Sequence, residues 1–200
     1  MSGRRAVDVA ALIDGIIASL VPAALPQADD HETLARNRQW LLGLEDEITA
    51  LFYDSLYAHA ATAAVFQDGE RAAREATLRG WWQRTVGAPV DAAYLRWMSL
   101  VGIVHIKRRV TNPMMLSMLQ IVTERVILRA RADLGEAEAQ RLQQAFSRLS
   151  TAIGAIISEA YTMGFVGALE DLAGLAPKLT ARMLDLELQR IERESRAQLG

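Results

Sequence analysis

The sequence predicts an all-α fold. Only five of its 200 residues are proline, and the strict alternation of apolar and polar residues that is typical of strands is rare. Alanine, leucine, arginine and glutamate, which favour helices, are abundant. Apolar residues make up 51% of the chain, enough for a sizeable core, and a chain of this length usually forms one domain, or one domain with an appendage.

Composition excludes several classes of function. The net charge of −2 gives no basic surface for nucleic acid. The absence of cysteine excludes disulfides, thiol catalysis and cysteine-ligated metals. With three histidines, any metal site must take few nitrogen ligands from the protein. The sequence contains no glycine-rich phosphate loop, no paired metal carboxylates and no nucleophile beside a histidine.

The apolar stretch at residues 6–25 raises the question of a membrane segment. Asp8 and Asp14 interrupt it, which argues against both a transmembrane span and the apolar part of a signal peptide. We predict instead an amphipathic helix that ends at Pro22 and forms an N-terminal extension, residues 1–27, with export as the alternative. On this interpretation the protein is cytoplasmic and has no membrane partner.

Breaks in the apolar pattern divide the rest of the chain into helices. Gly43 and Gly135 interrupt the helical periodicity, and Asn112-Pro113 is a helix start with asparagine as the cap. Asp29 or Asp30 is expected to cap the first helix of a domain at residues 28–175, and residues 176–200 are expected to form a C-terminal helix or a linker stub. The predicted helices span about 29–42, 45–59, 70–86, 90–111, 113–133, 136–170 and 178–199, with a short segment at 60–67.

The predicted helix at 136–170 has two apolar faces in its second half. A helix with two apolar faces has two partners, and a second copy of the chain is the simplest second partner. Ile157 and Phe165 are expected to lie on the outward face. We therefore predict a homodimer built on helices 113–133 and 136–170. The alternative is that the charged C-terminal helix covers this face within one subunit.

One helix carries a histidine on an apolar face. Helical spacing places Tyr94, Trp97, Met98, Val101 and His105 on the same side of the predicted helix at 90–111. An imidazole in such a place needs either a hydrogen-bond partner or a metal. The residues alone leave both interpretations open.

Three segments resemble sensor globins, the group that contains the globin-coupled sensors, among them the bacterial aerotaxis globins, and the protoglobins. GIVHIKRRV, with Tyr94 eleven residues before its histidine, resembles the proximal-histidine segment. Tyr53 in ITALFYDSLYAH, fifty-two residues before His105, resembles the distal tyrosine of the B helix. Thr77 in REATLRGWW falls where some members place a second distal hydroxyl. The resemblance covers about residues 35–169 and implies a globin fold with an extra N-terminal helix, a long last globin helix and an appended C-terminal helix.

The resemblance also implies a cofactor, haem b (iron protoporphyrin IX), with His105 as the axial iron ligand. The macrocycle brings its own nitrogen ligands and needs one from the protein, which suits a chain with few histidines. A distal hydroxyl, from Tyr53 or from Thr77, is expected to donate a hydrogen bond to bound O₂, and whether Thr77 or Leu78 faces the ligand stays open. The apolar pocket is expected from Phe52, Phe66, Leu78, Met98, Val101 and Met118.

The chain departs from the family after the histidine. The family reads glycine-leucine and then a proline with an aromatic pair, where this chain has Arg109-Val110, Asn112-Pro113 and Met114-Met115. Loss of the aromatic pair removes a possible hydrogen-bond partner of the imidazole. Lys107, Arg108 and Arg109 are most simply a solvated helix end, although in a haem protein one of them can pair with a propionate.

Three functions follow from the resemblance. The first is a non-enzymatic gas sensor that binds O₂, or alternatively CO or NO, and signals through a helical dimer, with any output domain outside this sequence. The second is a protoglobin-like haem protein that acts in NO or peroxide chemistry. The third is a haem-free interaction module of stress signalling.

Overall fold

The computed structural model describes residues 9–199, with side chains from Ile13 onward. Within this part of the chain there are ten α-helices and no strand, so the all-α prediction is confirmed. The helices are α1 (Val9–Ser19), α2 (Ala28–Arg36), α3 (Arg38–Gly43), α4 (Glu45–Ala58), α5 (Ala60–Ala63), α6 (Arg71–Gly87), α7 (Ala92–Arg108), α8 (Asn112–Leu134), α9 (Glu136–Ala173) and α10 (Pro177–Leu199).

The described residues fall into two compact units. The larger unit runs to Tyr161 and contains the core and every buried hydrophobic residue named below. The smaller unit begins at Thr162 and comprises the end of α9 and the whole of α10, which has no buried residue. The domain boundaries expected after residues 27 and 175 remain predictions.

The helix predicted at about 29–42 is two helices, and Asn37 separates them. Asn37 has φ −94° and ψ 7°, so the backbone leaves the helical geometry for one residue. Its side-chain amide donates to the Thr33 carbonyl at 2.9 Å and to Glu138 at 2.6 Å. The amide of Asn37 thereby links the break to α9, a tertiary interaction that the local periodicity does not show.

Two of the predicted caps are wrong by one to three positions. Gln27, and not Asp29 or Asp30, precedes α2, and its backbone N–H donates to the Asp30 carboxylate at 2.8 Å. Thr111, and not Asn112, caps α8, since its hydroxyl accepts from the Met114 backbone at 3.5 Å. In both cases a neighbouring polar side chain is placed better for the free N–H groups of the first turn.

The core forms where α6 packs against α3 and α4 and where α4 packs against α8. Trp82 is fully buried at its centre and donates its indole N–H to the Leu41 carbonyl of α3 at 2.9 Å. Phe146 of α9 packs against the Trp82 ring, with a centroid distance of 6.3 Å. Of the tryptophan pair, Trp82 is therefore the core residue, and Trp81 is only half-buried.

Glycines allow α9 to approach two neighbours closely. A Cβ on Gly102 of α7 would lie 2.5 Å from the Ile157 carbonyl oxygen. A Cβ on Gly154 of α9 would lie 3.0 Å from the side chain of Leu116 on α8. The α7 and α9 backbones are thus in contact one turn before His105, and α1 packs against α7 as well. These contacts determine the position of the helix that carries the histidine.

Helix α9 is the described helix that is long and apolar enough to cross a membrane, judged by length and composition alone. Its buried residues lie between Ala139 and Ala160, and they pack in the protein core. Asp30, itself 3% exposed, holds the same part of α9, because both of its carboxylate oxygens accept from Arg148 at 2.9–3.0 Å.

Candidate ligand-binding cavity

A cavity of about 360 Å³ lies within the larger unit, bounded by α4, α6, α7, α8, α9 and the segment around α5. This volume is in the range of pockets that hold cofactors and small ligands. The lining is predominantly apolar and includes four aromatic residues besides a tyrosine. The apolar lining residues are Phe52, Leu56, Val65, Phe66, Leu78, Trp81, Trp97, Leu100, Val101, Val104, Val110, Met114, Met115, Met118, Leu119, Val122, Ile153 and Ile157.

His105 of α7 lines this cavity. Its Nδ1 atom is buried and has no hydrogen-bond partner. Burial lowers the pKa of the imidazole below its ordinary value of 6.5, so the ring is neutral at neutral pH. A core histidine needs a partner for its buried nitrogen, so the missing partner favours the other interpretation, a ligand for a metal. Neutral imidazole is the form that binds metals.

Tyr53 of α4 lines the cavity as well and is 5% exposed. Its hydroxyl donates to the Arg74 carbonyl of α6 at 2.7 Å. Burial raises the pKa of Tyr53 to about 12, so the hydroxyl keeps its proton at neutral pH. Because a hydroxyl has one proton to donate, Tyr53 must give up the bond to Arg74 before it can donate to a ligand.

Thr77 and Leu78 of α6 both line the cavity. The Thr77 hydroxyl donates to the Ala73 carbonyl at 3.0 Å, the usual bond of a threonine inside a helix, and the residue is exposed. Leu78 is 8% exposed and packs beside Tyr53. In this arrangement Leu78 closes the inner wall and Thr77 lies toward the outer edge.

Of the six residues predicted to contact a cofactor, five line the cavity and Met98 does not. The five are Phe52, Phe66, Leu78, Val101 and Met118. Met98 is fully buried in the core, on the same stripe of α7 as Tyr94 and Gly102. Trp97, Val101 and His105 form the adjacent stripe, about 60° round the helix. Helical spacing alone does not separate two adjacent stripes, so the sequence predicted a single face where the structure has two.

The predicted position of Ile157 is also wrong. Ile157 of α9 was expected on an outward face, but it is 3% exposed and lines the cavity together with Ile153. Trp81 and Trp97 also line the cavity, although neither was predicted as a lining residue and only the helix face of Trp97 was predicted. Each lies four residues along a helix from a predicted site residue, Thr77 or Val101, so the i, i+4 spacing would have found them.

The residues present fit haem. No cluster of three or more His, Asp or Glu side chains that could hold a metal occurs within residues 13–199, and the chain has no cysteine. A metal in this cavity must therefore bring most of its ligands with it, as in a macrocycle. The apolar lining suits the macrocycle, and His105, the one imidazole in that lining, would supply the protein's ligand to the iron.

Comparison with known proteins agrees with this geometry. None of the curated proteins compared with it matches the chain. A family model, described as Protoglobin, matches residues 25–164. The match covers more than half of the chain and includes Tyr53, His105 and nearly all of the cavity-forming helices. The chain therefore has a globin-type fold and belongs to the protoglobin family of haem-binding globins.

Proposed function

We propose that this protein binds haem b with His105 as the axial iron ligand and acts as a cytoplasmic sensor of a diatomic gas, with O₂ ahead of CO and NO. The main support is His105, a neutral imidazole that lines a predominantly apolar cavity and whose buried Nδ1 has no partner in the protein. When bound, haem supplies an iron with an axial position for the gas. The apolar side chains exclude water from that position, and no motif for a chemical reaction accompanies the cavity.

The spectrum of the purified protein tests the cofactor. His105→Ala should abolish stoichiometric haem, because the structure offers no other imidazole in the cavity wall. His31→Ala and His59→Ala are matched controls and should keep the wild-type Soret band, because neither residue lines the cavity. Full haem content and an unchanged spectrum in His105→Ala would exclude the assignment. Spectra of the reduced protein with O₂ and with CO then identify the gas.

Tyr53 is proposed as the distal residue that donates a hydrogen bond to the bound gas, with Thr77 as the second donor. Tyr53 is the better candidate, because its hydroxyl is buried in the aromatic cluster with Phe66, at a centroid distance of 5.9 Å. Thr77 is exposed. A hydroxyl that donates a hydrogen bond favours a polar gas such as O₂ over CO. The Tyr53→Phe and Thr77→Val variants separate the two donors by their effects on O₂ dissociation.

Signalling is proposed to pass through a homodimer formed by residues 113–133 and 136–170. Leu116 and Leu128 of α8 are 48% and 60% exposed. Apolar surface of this kind usually marks an interface. Ile157, which was expected on the outward face, lines the cavity and therefore cannot be used to test the interface.

Leu128→Asp therefore tests the dimer. It should convert a dimer into a monomer of about the 22.0 kDa chain mass while haem content stays unchanged, since Leu128 does not line the haem cavity. Val21→Asp, at a residue that is 68% exposed but outside the proposed interface, is the control. Light scattering that finds a wild-type monomer at micromolar concentration would contradict the dimer.

A further inference from the structure

Two arginines interrupt the apolar wall of the cavity. Arg74 of α6 and Arg108 of α7 both line it, and apart from His105 they are the ionisable basic groups in that lining. Their side chains are 28% and 31% exposed, so each lies partly inside the protein and partly at the edge. A purely apolar ligand would gain nothing from such residues. The lining therefore suits a ligand with an apolar body and negative charge at one edge.

The two guanidinium groups are held side by side by Glu70. One carboxylate oxygen, Oε1, accepts from Arg108 Nη1 at 2.5 Å and is paired with Arg74 Nη2 at 3.1 Å. The Gln67 backbone N–H donates to the other oxygen, Oε2, at 3.1 Å. These hydrogen bonds, the one from Gln67 first and the one from Arg108 next, lower the pKa of Glu70, so the group is ionised.

The cluster carries one more positive charge than negative charge. One carboxylate serves two arginines, and Arg74 Nε is buried without a hydrogen-bond partner. A guanidinium group has five N–H donors in a planar fork that matches a carboxylate. Most of the donors of this pair are therefore left for another acid. A second carboxylate from a ligand would both balance the charge and use the free donors.

The position of Arg108 relates this charge to the iron site. Arg108 follows His105 by three residues on α7, so the two side chains leave the same face of the helix. Arg74 belongs to α6, and its backbone carbonyl accepts the hydrogen bond from Tyr53. A ligand that reached His105 with its centre would bring its edge to the arginine pair.

We infer that Arg74 and Arg108, held together by Glu70, form the carboxylate-binding site for the propionate groups of the haem. This inference rests on the proposed function, because it assumes haem in the cavity. The alternative role for the three residues is a structural clip that joins α6 to α7. The two roles differ in one respect: only the first depends on the carboxylates of the cofactor.

The test compares haem with its dimethyl ester, which keeps the macrocycle and the iron but has no free carboxylate. The full chain is loaded with either cofactor, and the rate of haem loss to an excess of a haem acceptor protein is measured. Arg108→Gln and Arg74→Gln should each lose haem faster, on the order of tenfold for one charge-assisted hydrogen bond at a partly exposed site. With the dimethyl ester, the same variants should match the wild type.

Three further variants extend the comparison. Lys107→Gln removes a neighbouring exposed charge that does not line the cavity, and it should leave both rates unchanged. Glu70→Gln removes the charge that holds the two arginines side by side, so it should speed the loss of haem and leave the loss of the dimethyl ester unchanged. Arg108→Lys keeps the charge without the fork and should lie between the wild type and Arg108→Gln.

The outcomes separate the inference from the proposed function. Equal acceleration with haem and with its ester would mean that the cluster is only a clip, while haem binding itself stands. A wild-type protein that binds neither haem nor the ester would overturn the proposed function and the propionate site with it. Acceleration that occurs with haem alone establishes the site.

Discussion

Gly102→Ala should destabilise the protein by forcing apart the helices α7 and α9. The added Cβ would lie 2.5 Å from the Ile157 carbonyl oxygen, 3.0 Å from the Ala160 Cβ and 3.1 Å from the Tyr161 nitrogen. Ordinary carbon–oxygen contacts are roughly 3.3–3.6 Å, so the shift required is on the order of 1 Å. Two of the three neighbours are backbone atoms, which cannot rotate away as a flexible side chain would.

The magnitude follows from two opposing terms. Overpacking of a close helix contact costs about 1–3 kcal/mol. Replacement of glycine by alanine inside a helix contributes roughly 1 kcal/mol in the opposite direction. We therefore expect Gly102→Ala to lower the free energy of unfolding by up to about 2 kcal/mol. Since His105 follows one turn later, haem loss should become faster as well.

Urea unfolding of the haem-free protein measures the effect, and Gly80→Ala is the matched control. Gly80 lies inside α6, is exposed, and has no neighbouring atom within 4 Å of an added Cβ. The same chemical change should therefore stabilise the protein there by about 0.5–1 kcal/mol. If Gly102→Ala proves as stable as Gly80→Ala, the close approach of α7 to α9 is not present in solution.

Three other predictions concern single side chains. Tyr53→Phe should raise the O₂ dissociation rate roughly five- to tenfold. In the wild type a hydrogen bond to bound O₂ of about 1.5–3 kcal/mol replaces the neutral bond to Arg74, worth about 0.5–1.5 kcal/mol, and the variant loses this difference. Stopped-flow measurement should show a much smaller change in the CO dissociation rate, and equal changes for the two gases would exclude a polar role for Tyr53. Arg109→Gly should raise the free energy of unfolding, measured in urea, by about 0.5–1 kcal/mol. Arg109 has φ 59°, and this left-handed conformation costs a non-glycine residue about 1–2 kcal/mol, a gain that the greater entropy of glycine in the unfolded chain partly offsets. A loss of stability in the variant would contradict this prediction. The hydrogen bond from Asn37, and after it those from two arginines, lower the pKa of Glu138 from 4.5 to about 2. Its contribution to the free energy of unfolding is therefore complete above about pH 4.5 and is lost as the pH falls toward 2. Glu138→Gln should flatten the pH dependence of stability in that window, and an unchanged acid unfolding transition would refute the assignment.

The sequence predicted the helices well because their signals are local. Gly135 and the Asn112-Pro113 pair break the periodicity where α8 ends and begins, and the structure agrees within a few residues. The division at Asn37 had no such signal. It depends on the hydrogen bond between its side chain and Glu138, about a hundred residues away, and a contact between distant residues leaves no periodic pattern.

The candidate site was predictable in part for the same reason. The order and spacing of Tyr53, Thr77 and His105 carried the family resemblance, and the cavity contains all three residues. The local sequence also explains Arg109: the family has glycine there, and the structure places Arg109 in the left-handed region that glycine prefers. The left-handed conformation that ends α7 is therefore set by the backbone at position 109 and not by the arginine side chain.

The sequence by itself determined the all-α class, the breaks between most helices and the one histidine on an apolar face, because each of these is encoded by residues close together in the chain. Only the tertiary structure decided which apolar stripe meets the cavity. Met98 and Val101 are equally apolar and lie on one helix, yet Met98 packs in the core and Val101 lines the cavity. The difference is set by where α9 lies, and α9 can lie there because Gly102 has no side chain to keep it away.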